Sequence, residues 1–182
     1  MRKEEKIRVG ISIGDLNGIG GEIILKTLDD NRILDFCTPV IFASSKVMTF
    51  LKNHFQSEIN FNTIHKAEQA IHGKINVVNL WKENINIEFG KEDPKIGAYA
   101  IKSLIAATQE LKIGNIDFLL TAPINTGKST LLKTWIDLLS NYFEKRPIHV
   151  HTFHVYTISP DVGQRPEKSC IHDTVHACLD MH

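Results

Sequence analysis

One short run constrains this chain more than any other. Residues 39–43 read PVIFA, five positions without a polar side chain. A run that short and that apolar suits a strand covered on both faces, as parallel sheets require. Residues 116–123, IDFLLTAP, read the same way, as a buried strand that Pro123 stops. The alternating, β-branched IRVGISI (residues 7–13) predicts a first strand, and INFNTI and INVVNL predict two more.

Helical spacing fills the gaps between them. EIILKTLDD carries apolar residues at Ile23, Ile24 and Leu28, and KVMTFLKNHF follows Ser44 or Ser45 as a cap. The best helix spans residues 96–111, with a predicted apolar stripe of Ile101, Leu104, Ile105, Thr108 and Leu111, and GN ends it. Strands alternating with helices predict an α/β fold with a largely parallel sheet and flanking helices.

Composition narrows the function classes. Lys plus Arg and Asp plus Glu both number 21 among 182 residues, so the zero net charge gives no reason to expect nucleic acid or a membrane surface as partner. The amino terminus has no apolar signal core, and no apolar run approaches the ~20 residues that span a bilayer. Three cysteines without a CxxC pair fit a reducing, cytoplasmic setting.

A Gly-rich turn, GDLNGIGGE, joins the first strand to the first helix. It holds Gly14, Gly18, Gly20 and Gly21; Gly18 and Gly20 allow close backbone approach, and amides at the helix start suit an anion. The spacing is not the GxGxxG of dinucleotide folds. A tight turn that needs glycine only for its geometry explains it as well. Asp15 and Glu22 read equally as a turn residue and a helix-start charge.

The stretch TAPINTGKST ends in Gly127-Lys128-Ser129, as phosphate loops do. Such a loop requires glycine at position 122, where this chain has Ala122 followed by Pro123. A phosphate-loop ATPase or kinase is the alternative that these residues leave open. His149, His151 and His154 cluster, and His172 and His176 are four apart, but no zinc-type motif accompanies them.

GDLNGIGGE and TAPIN together carry a resemblance. The chain resembles the 4-hydroxythreonine-4-phosphate dehydrogenase family over residues 7–125. The family's GDxxGIGxE turn is matched by Gly14, Asp15, Gly18, Ile19, Gly20 and Glu22, with Leu16 and Gly21 replacing the common prolines. Its strand end is matched by Thr121, Ala122, Pro123, Ile124 and Asn125, with Thr126 where lysine is expected. The resemblance implies an isocitrate-dehydrogenase-like fold, a homodimer, NAD and a divalent metal (Zn, Mg or Co). The implied substrate is a small phosphorylated hydroxy-amino acid, whose alcohol is oxidised before decarboxylation. The loops that approach ligand would be those holding Gly14, Asp15, Asn17, Gly18, Gly20, Glu22, Thr121, Pro123 and Asn125.

Beyond Asn125 the resemblance stops. The family's Gly-His-Thr substrate segment and metal histidines have no counterpart, so no catalytic or metal residue is assigned. Residues 1–125 read as the family-like portion, and 126–182 as an aberrant or frame-shifted tail, partly disordered. Within it LLKTWIDLLSNYF has helical spacing and RPIHVHTFHVYTISP alternates like a strand. Ile148-His149-Val150-His151 can be encoded by codons that give Phe-Met-Phe-Ile one base later, as a shifted frame would. The expected product is a truncated, inactive dehydrogenase, the other alternative being a non-catalytic dimerising fragment.

Overall fold

The computed structural model describes residues 6–123. Asn125, the Gly127-Lys128-Ser129 segment, the carboxyl-terminal histidines, the two tail elements and the boundary at 125/126 lie outside the described residues.

Five strands form one sheet, β1 (Ile7–Ser12), β2 (Cys37–Ala43), β3 (Phe61–Ile64), β4 (Ile75–Asn79) and β5 (Phe118–Thr121). Their order is β3-β4-β2-β1-β5, and every pairing is parallel. Among the described residues four α-helices accompany them, α1 (Gly20–Leu28), α2 (Ile33–Phe36), α3 (Ser45–His54) and α4 (Pro94–Ile113), with one 3-10 turn at Ala67–Gln69. This is the expected α/β architecture. No helix among the described residues is long and apolar enough to cross a membrane.

Alternation along the strands divides the core in two. Ile11, Ile41 and Val77 face α1 and α3 and pack with Leu25, Leu28, Met48 and Leu51. Val40, Phe42 and Val78 face the other way and pack with Ala107 of α4 and Ile116. Val40, Ile41 and Phe42 are all fully buried, as the apolar run at 39–43 predicts.

Three expectations change. In α1 the buried face is Gly20, Gly21, Ile24, Leu25 and Leu28, while Ile23 points outward. In α4, Ile105 is exposed and Ile101 half-buried. The sheet-facing side is Ile96, Gly97, Ala100, Ser103, Leu104, Ala107 and Thr108. That side intersperses the small Gly97, Ala100, Ser103 and Ala107 with the larger Ile96 and Leu104. Strand β5 is not buried on both faces. Among the described residues it pairs with β1 alone, and Phe118 and Leu120 are exposed.

The caps also differ. Ser44 occupies the N-cap of α3 but makes no capping bond. Asn79 from the end of β4 does so instead, its Oδ1 accepting from the Ser45 amide at 3.0 Å. Helix α4 has an orthodox start and stop. The Asp93 side chain accepts from the Lys95 amide at 2.8 Å, Pro94 follows, and Gly114 closes the helix in the left-handed region.

Candidate functional site

The two motifs of the resemblance meet at the carboxyl ends of β1 and β5. The Ala122 amide donates to the Ser12 carbonyl at 3.2 Å, and the Asp15 amide to the Pro123 carbonyl at 2.9 Å. Helix α1 leaves β1 on one face of the sheet, and α4 precedes β5 on the other. Of the crossovers that leave the described strand ends, those from β1 and β2 pass to the α1 and α3 face and that from β4 passes to the α4 face, so they diverge between the neighbouring strands β2 and β4, beside this junction. In open α/β sheets, ligands bind in the crevice outside the strand ends at such a divergence.

Gly14 and Gly20 of the turn are accounted for by packing. Gly14 has φ +69°, and a Cβ there would sit 2.6 Å from the Pro123 carbonyl oxygen. A Cβ on Gly20 would lie 3.0 Å from the Ile13 carbonyl oxygen and 3.1 Å from Ala122 Cβ. The space a side chain would need is filled by the protein itself. The tight-turn reading of these glycines is the one the geometry favours.

The remaining candidates divide between the interior and the surface. Asp15 is buried, and its Oδ1 accepts from the Asn17 amide at 3.0 Å. Gly18 is half-buried, and its amide donates to the Asp15 carbonyl at 3.1 Å, closing the turn. Asn17 is buried and bonded to residues 88–91. Glu22 stands apart, partly exposed on the first turn of α1 and paired with Lys26 at 2.6 Å. Thr121 and Pro123 are half-buried at the junction.

A serine that the sequence does not mark as important supports this junction. Ser103 of α4 is fully buried. Its Oγ accepts from the Ile13 amide at 3.0 Å and donates to the Phe42 carbonyl at 2.5 Å. Ile13 follows the last residue of β1, so this bond pairs a buried amide just beyond the strand. The available signal was a polar residue inside the apolar spacing of α4.

Buried polar atoms without a protein partner mark the same edge. Among the described residues they are Ser12 Oγ at the end of β1, Ser44 Oγ just past β2, and Trp81 Nε1 just past β4. Interior polar atoms are normally paired, so three exceptions on the carboxyl side of one sheet are notable. An open groove of about 610 Å³ lies elsewhere, lined by Leu28, Glu58, Phe61 and Ile75 near the amino ends of β3 and β4.

No three His, Cys, Asp or Glu residues converge as a metal-binding set among the described residues. The described donor set therefore does not fit the implied metal. A dinucleotide cradle is not evident in the glycine turn either, since its space is taken by Pro123, Ala122 and Ile13.

The sequence profile of the family described as "Pyridoxal phosphate biosynthetic protein PdxA" matches residues 35–138. A 4-hydroxythreonine-4-phosphate dehydrogenase of Bacteroides thetaiotaomicron is 41% identical over 123 residues, which cover 68% of this chain and 34% of that protein. A Clostridium botulinum relative, provisionally named a D-threonate 4-phosphate dehydrogenase, is 30% identical over 122 residues, covering 64% of this chain and 36% of its own length. The crystal structure of a 4-hydroxythreonine-4-phosphate dehydrogenase from Burkholderia phymatum superposes with a TM-score of 0.65 at 23% identity, over 78% of this chain and 44% of that one. The chain thus spans about a third of the length of the curated relatives it matches. Profile and fold agree, and the chain belongs to the PdxA family of pyridoxal phosphate biosynthetic proteins.

Proposed function

We propose that this chain carries the amino-terminal part of an NAD-dependent dehydrogenase of pyridoxal phosphate biosynthesis. The reaction is oxidation of the secondary alcohol of 4-phosphohydroxythreonine, followed by decarboxylation of the resulting ketone. The observation that carries the reading is the contact of the two family motifs, Gly14–Glu22 and Thr121–Pro123, at the carboxyl ends of β1 and β5. The 41% identical relative carries the corresponding name, which favours this substrate over the D-threonate phosphate of the 30% identical one.

When bound, NAD would accept the hydride and a divalent metal would polarise the reacting oxygen. No described residue is assigned to either. What the described residues do is shape the edge of the crevice. Gly14 and Gly20 seat the 122–123 segment, Asp15 ties it through its amide, and Ser103 holds Ile13, which leads into the turn. The working protein is taken to be a cytoplasmic homodimer.

On this reading the 182-residue chain alone does not turn over, because no family-type metal histidine can be assigned in it. Incubating it with NAD, a divalent metal and 4-phosphohydroxythreonine, with D-threonate 4-phosphate in parallel, should give no NADH. Turnover of the first substrate would overturn the inactivity. Turnover of D-threonate 4-phosphate alone would replace the substrate. Sequencing the gene through codons 120–182 tests the tail, since a frame-shift requires that a single-base change restore a family-like His-Thr or metal histidine.

The phosphate-loop alternative has a specific observation against it. Ala122 and Pro123 stand where such a loop would begin. They are packed on Gly14 and Gly20, with the Pro123 carbonyl held by the Asp15 amide.

A further inference from the structure

Residues 80–93 connect β4 to α4 without regular structure and run along the carboxyl side of the sheet. Most of their side chains are exposed. Apart from Trp81 and Leu80 at the β4 end, the apolar anchors are Ile85 and Ile87, which are half-buried against the core. Phe89 leans on α3, 4.7 Å from the His54 ring and 5.6 Å from that of Phe55. So exposed a segment needs a specific tie to hold one path.

Asn17 provides it. Its Oδ1 accepts from the Glu88 amide at 3.0 Å, its Nδ2 donates to the Lys91 carbonyl at 2.9 Å, and its own carbonyl accepts from the Gly90 amide at 2.8 Å. The Asn17 amide meanwhile bonds Asp15 Oδ1. A carboxamide offers an acceptor and a donor on one planar group, and both are used here on one short segment. The side chain is nearly fully buried, so losing a partner would strand polar groups of the segment as well as its own.

We propose that residues 80–93 form a strap latched to the Gly-rich turn by Asn17, so that strap and turn open and close as one unit. Asn17 is then a positioning residue and not a ligand contact. The strap holds the turn from the solvent side, while Ser103 holds Ile13, which leads into it, from the α4 side. This does not depend on the dehydrogenase reading, because it follows from the contacts of Asn17 alone.

Amide hydrogen exchange on the full chain tests it. In the wild type, the amides of Glu88 and Gly90 should be protected. Asn17→Ala should speed exchange at Glu88 and Gly90, and at Gly18 in the turn, by about ten- to a hundred-fold. Protection in β2 and β4 should not change. The isosteric Asn17→Asp variant adds a readout that a general loss of stability would not produce. Its carboxylate faces the Lys91 carbonyl without a proton to donate, and protonation restores a donor. Its strap should therefore regain protection as pH falls, after correction for intrinsic exchange, whereas the wild type should not. Unchanged exchange at Glu88 and Gly90 in Asn17→Ala would overturn the latch. Equal acceleration across strap and β2, with no acid recovery in Asn17→Asp, would also overturn it.

Discussion

The carbonyl oxygen of Pro123 lies 2.6 Å from where a Cβ on Gly14 would project, and it accepts the Asp15 amide at 2.9 Å. Two turns far apart in sequence are therefore fitted at a spacing that only glycine permits. Gly14→Ala meets both an unfavourable positive φ and a clash with backbone. It should cost about 2–4 kcal/mol in urea unfolding. Gly73→Ala has a similar φ of +77° but nothing within 4 Å, so it should lose only about 1–2 kcal/mol. Equal losses for the two would mean that the Pro123 contact does not matter.

Ser103→Ala removes a donor and an acceptor together. The Ile13 amide and the Phe42 carbonyl lose a partner in the interior. Thermal or urea denaturation should show a loss of about 1–3 kcal/mol.

Asn76 is fully buried, and its Nδ2 faces the carbonyls of Pro39, Ile71 and Lys74. Its Oδ1 accepts from Asn62 Nδ2 and the Ile71 amide. Asn76→Asp turns a donor toward three carbonyls into an acceptor. The loss should reach about 3–5 kcal/mol at neutral pH, more than for Asn76→Ala. Comparing the two denaturation midpoints checks the order.

Exposed Phe118 and Leu120 stand on a strand that pairs on one side only among the described residues. Such an edge invites association. Leu120→Lys should lower self-association in light scattering and shift stability by no more than about 0.5 kcal/mol.

Partial burial pushes the Cys37 thiol above its ordinary range, opposed weakly by Lys6. The thiolate is the reactive form, so alkylation of Cys37 at mildly alkaline pH should be slower than that of a free thiol. The rate should rise as pH increases. Peptide mapping after iodoacetamide treatment separates this site from Cys170 and Cys178.

The five strands and helices α1, α3 and α4 were legible because period and turn chemistry agree locally, whereas the four-residue α2 is too short to carry a period of its own. What the sequence concealed was direction. Ile105 and Ile23 counted toward apolar stripes, yet α4 buries Ala100, Ser103 and Ala107, and α1 turned its glycines inward. Of the candidate site, the two motifs were legible as family patterns, while their contact was not, since no spacing rule relates Gly14 to Pro123. Asn17 was placed correctly in the turn, but its partners at 88–91 come from a connection with no pattern of its own.

The strand order gives the first strand two neighbours of very different age. Strand β1 has β2 as its next strand in sequence, but its other neighbour, β5, follows only after β4 and α4. The Arg8 amide meets Asp117 Oδ2 across 109 positions of sequence. Closing so long a loop is slow relative to local pairing. During that interval the nascent chain carries an uncovered β1 edge, and chaperone demand should be greatest before Thr121 appears.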